Sequence, residues 1–208
     1  MELELKLKKA LEELRKNEEK KFDQTVELIV NLKKFDLKRN SINTFISVPN
    51  KIKDKKACGF IEMESKLIDT IPKAAFPRYK DKKELKKLVR KYDFFLASGA
   101  NMPAVASTFG KVLGPVGKMP SPKLGIILNE NDEEIKQVLN KINNSIKIHT
   151  KEPSIKISIG KISMPEKEIV QNIKSAYESI LKELPNHKEN IRSVMVKLTM
   201  SKPIRVDM

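Results

Sequence analysis

Between Ala57 and Thr150 short apolar runs alternate with stretches of helical periodicity, and no other feature narrows the fold as far. ACGFIEM has the length and composition of a buried strand, and AAFPRYK is turn-like. DKKELKKLVRKY then sets Leu85, Leu88, Val89 and Tyr92 on one helical face before the apolar run DFFLASG. The rhythm continues with a helix-compatible stretch from Met102 to about Val112, the Gly/Pro-rich loop GKVLGPVGKMPSP (Gly110 to Pro122), the strand KLGIILN, the helix DEEIKQVLNKI and the strand SIKIHT. Alternation of this kind predicts an open α/β sheet covered by helices.

The two ends of the chain read differently. Leu3, Leu7, Ala10, Leu11 and Leu14 recur at helical spacing in an amphipathic first helix. TVELIVNLK (Thr25 to Lys33) and INTFISVPN (Ile42 to Asn50) read as strands, the second closed by Pro49. Past Pro153 come the strand IKISIG, the helix EKEIVQNIKSAYESILKEL after Pro165, and the strand SVMVKLTM, with Val194, Val196 and Leu198 on one side. Two strands before the middle and two after it predict one discontinuous domain, residues 1–54 with 151–208, carrying an inserted α/β domain at 55–150. The proline-bearing crossings at Val48 to Lys51 and Lys151 to Pro153 are its two connections, a double linker that permits a hinge.

Lys and Arg number 42 against 27 acidic residues, a net charge of +15 that attracts polyanions and makes association steep in salt. The charge divides into about +5 before Ala57, +6 from there to Thr150 and +4 beyond, so no detachable basic tail carries it. Nucleic acid is the partner class this favours. The single cysteine, Cys58, excludes an internal disulfide and a CxxC metal knuckle and reads as a small core residue. MELELKLKKALEELRK alternates charges where a signal peptide needs an apolar run, and no stretch approaches the roughly 18 apolar residues of a membrane span. We therefore expect a soluble, cytoplasmic chain without a membrane partner.

Catalytic and metal-binding patterns are thin in the sequence. Gly110 to Pro122 fails as a Walker A loop: residue 112, where the first glycine belongs, is valine, and the residue after Lys118 is Met119, not Ser or Thr. No GxGxxG run follows a strand. What remains is a loop whose glycines permit close approach to a sugar-phosphate backbone, with Lys111, Gly114, Gly117 and Lys118 as a secondary RNA or tRNA contact. His149 and His187 lie outside any metal spacing and read as surface histidines, and the Glu62/Glu64 and Asp132 to Glu134 clusters need no chemistry to explain them. The end of the last strand, VKLTMSKPIR, combines hydroxyls, a methionine, Lys197, Lys202 and Arg205 in a polar lip suited to ribose and phosphate. The alternative function is a phosphometabolite enzyme built on the inserted α/β domain.

Several blocks together resemble one family, the large-subunit ribosomal protein L-one of the mobile side stalk, in its archaeal branch. DFFLASGANMPAVASTFGKVLGPVGKMPSP (Asp93 to Pro122) resembles its GKxLGPxGKMPxP signature, and KFDQTVEL (Lys21 to Leu28), IGKISM (Ile159 to Met164) and VKLTM (Val196 to Met200) follow in family order. The resemblance implies an α+β split domain with an inserted Rossmann-like α/β domain. It implies no enzyme, no cofactor and no catalytic or metal site. Its implied function is to bind large-subunit rRNA at the side stalk of the large ribosomal subunit, to assist release of exit-site tRNA, and to repress translation through the leader of its own mRNA, the protein being a monomer off the ribosome. By motif match the RNA-facing set is Lys21, Phe22, Thr25 and Glu27, then Gly160, Lys161 and Ser163, then Ser193, Thr199, Met200 and Ser201. Ser201 stands where the family usually has glycine, and the segment between Cys58 and Lys80 is short for the family.

Overall fold

The computed structural model describes residues 2–16, 22–37, 40, 42–128, 130–150 and 152–206. In chain order the elements are α1 (Glu2–Lys16), β1 (Thr25–Leu32), β2 (Asn43–Ser47), β3 (Ala57–Phe60), β4 (Asp69–Thr70), a 3-10 helix (Lys73–Lys80), α2 (Lys82–Lys91), β5 (Phe94–Ser98), α3 (Met102–Val116), β6 (Ile126–Ile127), α4 (Asp132–Asn143), β7 (Ser145–His149), β8 (Ser154–Lys161), α5 (Glu166–Glu183), β9 (Ile191–Leu198) and β10 (Ile204–Val206). The chain divides into two compact units, Met1–Lys53 with Asn144–Met208, and Asp54–Asn143.

The first unit is built on an antiparallel sheet in the order β10-β9-β1-β8. Alternation along β1 buries Val26, Leu28, Val30 and Leu32 and turns Thr25, Glu27, Ile29 and Asn31 to the other face. The buried face receives Leu7, Ala10, Leu11 and Leu14 from α1 and Ile169, Ile173, Ala176 and Ile180 from α5. Each fully buried aliphatic side chain contributes about 1.5–3 kcal/mol. β8 shows consecutive buried residues, Ile159 and Gly160, because a bulge opposite Val26/Glu27 inserts one extra residue. β10, which the sequence pattern does not announce, folds back on β9 with Ile204 opposite Val196.

SIKIHT departs from the sequence expectation. It forms β7, which pairs with β2 (Asn43 with His149 through Ser47 with Ser145) and does not continue the parallel sheet. The first unit therefore resumes at Asn144, not at 151. The physical reason is that Ile148 and Ile46 share the core beneath α5, while Val48 N–H is satisfied by Asn144 O at 2.7 Å. Fully buried Asn172 on α5 locks the segment after β2: its Nδ2 donates to Asn50 O and Ile159 O, both at 3.0 Å, and its Oδ1 accepts from Asn50 N–H at 2.9 Å.

The second unit meets the α/β expectation, with a parallel sheet in the order β4-β3-β5-β6. Phe60 and Phe95 stack at 5.5 Å on one face, joined by Phe76 and Phe109 and by Leu85, Leu88 and Val89 of α2. Ile61, Leu96 and Ile127 pack on the other side with Ile135 and Ile142 of α4. Residues 74–80 form part of the 3-10 helix, which anchors Phe76. KLGIILN shortens to Ile126–Ile127, following Gly125 at φ 129°, a conformation closed to most side chains.

The Gly/Pro stretch is the larger correction. α3 runs on through Gly110, Lys111, Gly114 and Pro115 to Val116, so more than half of the expected loop is helix. Its end is a Schellman cap: Gly117 sits at φ 72°, its N–H donates to Gly114 O at 2.9 Å, and Lys118 N–H donates to Leu113 O at 3.0 Å. Pro115 lacks the N–H that would bond Lys111 O, a cost that the buried Leu113 and the Gly117 cap offset. Gly110 lies in the helix interior with nothing within 4 Å of where a Cβ would stand. We expect Gly110→Ala to stabilise α3 by about 0.5–1 kcal/mol and Gly117→Ala to destabilise it by about 1–2 kcal/mol, read as slower and faster amide exchange along the helix. The same direction for both substitutions would refute this account.

Candidate nucleic-acid interface

Because β1 runs antiparallel to both neighbours, its entry lies beside the exits of β8 and β9. Three segments far apart in sequence, 22–25, 160–164 and 198–202, thus meet at one end of the sheet. On the β9 side, Thr25 N–H donates to Thr199 Oγ1 at 3.2 Å and Thr199 N–H donates to Thr25 O at 3.1 Å. Met200 N–H donates to Oε1 of buried Gln24 at 3.1 Å. Ser201 closes the turn with its side chain, its Oγ accepting from Leu198 N–H at 2.8 Å.

The β8 side is organised by Asp23. Its carboxylate accepts from Ser163 N–H at 3.2 Å and from the Ser163 hydroxyl at 2.9 Å, and the Lys161 ammonium stands 3.3 Å away. Ile162 N–H donates to Gln24 O at 2.9 Å, and Arg15 of α1 donates to Ile162 O and Met164 O at 3.2 and 3.0 Å. Desolvation works against the Asp23 charge, but the Ser163 hydrogen bonds and the Lys161 ammonium outweigh it and hold the carboxyl below its ordinary value of 3.8. Behind this rim Glu27 faces Lys197 across the strand pair at 4.0 Å, which tempers its repulsion of an anion.

What stays exposed is chemically mixed. Phe22 and Met200 present apolar surface, 52% and 65% accessible, although most large apolar side chains here are buried. Thr199 and Ser163 lie exposed beside them, with Lys161 and Lys197 half-buried and Lys202 exposed. Hydroxyls and ammonium groups for sugar and phosphate, next to apolar chains that pack on bases or ribose, make a surface suited to structured RNA.

Of the residues expected from sequence, Phe22, Thr25, Lys161, Ser163, Thr199, Met200 and Ser201 gather here, with Glu27 one row behind. Lys21 lies outside the described residues. Gly160 is buried, and a Cβ there would stand 3.2 Å from Met164 Sδ, so internal packing accounts for its glycine. Ser193 sits opposite Asn31, six residues along β1 from Thr25, away from this rim. Ser201 turns its hydroxyl inward, in place of the open backbone a glycine would leave. The positioning residues Asp23, Gln24 and Arg15 are not among those the sequence points to: the first two lie inside the KFDQTVEL block, whereas Arg15 carries no local signal.

In the second unit the expected loop site does not assemble as a loop. Lys111 and Gly114 are exposed on α3, and Gly117 is its cap. Lys118 Nζ donates to Val89 O at 2.8 Å and Tyr92 O at 2.7 Å, tying down the carbonyl end of α2. Cys58 is fully buried and its thiol is pushed up to about 12 by burial, which makes it inert as a nucleophile. His149 and His187 are exposed. Among the described residues no helix is long and apolar enough to cross a membrane, and no three His, Cys, Asp or Glu side chains cluster to hold a metal ion.

The chain matches the model of the ribosomal protein L1p/L10e family over residues 14–202. It is 33% identical to the large ribosomal subunit protein uL1 of Nanoarchaeum equitans over 202 residues, which covers 92% of this chain and 95% of that protein. The corresponding protein of Thermofilum pendens is 33% identical, over 90% of this chain and 85% of its own length. That of Archaeoglobus fulgidus is 31% identical, over 97% of both.

The depressed Asp23 pKa gives a signed expectation. A carboxyl lowered in the folded state contributes stability that is complete above its unfolded value near 3.8 and disappears as pH falls through the folded value. The turn at 161–164 should loosen in that acid window, seen as faster exchange of the Ser163 amide, and Asp23→Asn should abolish this pH dependence. An identical acid response in Asp23→Asn would rule Asp23 out as its origin.

Proposed function

The chain belongs to the ribosomal protein L1p/L10e family, and from that membership we propose that it serves the large ribosomal subunit as a non-enzymatic RNA-binding protein, its first unit gripping structured rRNA of the side stalk with one end of the antiparallel sheet. The observation that carries this reading is the convergence of 22–25, 160–164 and 198–202 into one rim, internally hydrogen-bonded and outwardly exposing Phe22, Met200 and cationic side chains. A net charge of +15 supplies the long-range attraction. The rim is held by bonds within the protein, so little ordering is left for the moment of binding.

Two finer roles belong to the same proposal. On the ribosome the protein assists the departure of exit-site tRNA, with the exposed α3 face around Lys111 and Gly114 as the contact, and Lys118 excluded by its bonds to α2. Off the ribosome, as a cytoplasmic monomer, it represses its own translation by applying the same rim to the leader of its mRNA. Nothing observed favours a phosphometabolite enzyme: Lys118, the cation at the heart of the Gly/Pro stretch, is engaged by Val89 and Tyr92 carbonyls.

Binding to a stalk rRNA fragment should fall steeply with salt. Met200→Ala removes an exposed side chain that the fold does not need, so it should weaken binding about 5–30-fold, the range of an interface anchor, and leave the unfolding midpoint unchanged. Lys161→Gln should lower the salt slope by about 1. Unchanged affinity in Met200→Ala would remove the rim from the interface. Titrating the leader of the chain's own mRNA against the same panel tests repression: loss in parallel supports one shared surface.

A further inference from the structure

One end of the second unit carries a charge opposite to that of the chain. Residues 61–67 and 128–135 hold six carboxylates and one cation, Lys66, in a protein of net charge +15. Both segments lie at the carboxyl end of the parallel sheet, one following β3 and the other β6. The order β4-β3-β5-β6 reverses between β3 and β5, and at the carboxyl ends of such a reversal open α/β sheets take their ligands. Phosphate, a common ligand at that position, is refused here. The carboxylate of Glu62 stands there instead, its Oε1 accepting from Lys73 N–H at 3.2 Å and from Nδ2 of Asn101, the N-cap of α3, at 3.3 Å.

The two segments are stitched together in the free chain. Glu130 Oε2 accepts from both Glu62 N–H and Met63 N–H at 3.0 Å, and the Ser65 hydroxyl donates to Asp132 Oδ1 at 2.6 Å. Each carboxylate spends one oxygen on these bonds and keeps the other. Glu62 Oε2, Glu130 Oε1 and Asp132 Oδ2 have no donor among the described residues, and neither has Oδ1 of Asn101, although that residue is only 6% exposed. Every buried polar side-chain atom described has a partner, so the unpaired Asn101 oxygen is open to solvent. Acceptors without donors suit a ligand that brings cations.

Apolar side chains decide what kind of cation. Met63, Leu67 and Leu128, on the same two segments, are three of the seven large apolar side chains left exposed among the described residues. A metal ion would leave them uncovered, and among the described residues no three carboxylates converge to hold one. A protein segment covers them while supplying charge. We propose that this end of the second unit docks an extended basic segment of a partner protein. A lysine or arginine of that segment reaches the free oxygens of Glu62 and Asn101 at the reversal point, and its apolar neighbours pack on Met63, Leu67 and Leu128. The site lies in the unit that does not carry the rim and needs no RNA.

The test titrates the full chain with three probes: a labelled arginine-rich peptide carrying leucines, the same peptide with serine for leucine, and spermine. The leucine peptide should bind about tenfold tighter than the serine peptide and than spermine. Glu64→Gln with Glu133→Gln, exposed carboxylates outside the stitching bonds, should raise its Kd about tenfold and make binding less sensitive to salt. Met63→Ser with Leu128→Ser should raise it about fivefold and leave the serine peptide unaffected. Glu12→Gln with Glu178→Gln, an equal charge change on exposed helix positions of the first unit, should leave every Kd unchanged. Equal binding of both peptides, or spermine binding as tightly as the leucine peptide, would overturn the docking site, as would an equal loss in the control. Weaker binding of a stalk rRNA fragment by the Glu64/Glu133 variant would also overturn it, by making this a nucleic-acid face. Failure of the rim to bind RNA would leave these peptide measurements untouched, so the two readings fail separately.

Discussion

The pairing of β1 with β8 on one side and β9 on the other is the constraint from which the first unit follows. A central strand buried through Val26, Leu28, Val30 and Leu32 cannot leave its backbone unpaired, and both partners come from the last third of the chain. The second unit is therefore an insertion between two segments that the first unit joins. Antiparallel pairing on both sides also means that one strand entry and two strand exits share one end of the sheet, and that geometry creates the rim. Turning one strand around would scatter Thr25, Ser163 and Met200 to opposite ends of the sheet.

The rim achieves its shape by satisfying its own polar groups and leaving selected ones outward. Gln24, buried, accepts from Met200 N–H with its side chain and from Ile162 N–H with its backbone, so a single residue joins the turns after β8 and β9. Asp23 places a negative charge in an otherwise cationic surface, yet Ser163 and Lys161 neutralise it while being positioned by it. The Asp23 carboxylate serves here as scaffold: it aims a cation and a hydroxyl that would otherwise sample many rotamers.

Much of this was legible locally. Helical spacing at Leu85, Leu88 and Val89 and alternation at Val194, Val196 and Leu198 report burial directly, because period and face are properties of a single element. Blocks such as KFDQTVEL and VKLTM contain much of the rim. The failures share a cause. SIKIHT has the pattern of a strand in either unit, and only the availability of β2 and the core under α5 decides where it pairs. The glycines and prolines after Gly110 predict a loop, but Leu113 packs fully buried against the aromatic cluster and extends the helix over their weak propensity. Arg15 and Asn172 act through carbonyls and amides from distant segments, which no local pattern encodes.

By itself the sequence determined the charge that favours a polyanion, the identity and period of nearly every element, and the split between an α/β middle and strand-bearing ends, since composition and periodicity depend on neighbours along the chain. The tertiary structure decided which strands are partners, that Ser193 stands apart from Thr199 and Met200, and that Lys118 serves a helix end. Those outcomes depend on which groups meet across space, where hydrogen bonds and buried surface are shared between residues more than a hundred positions apart.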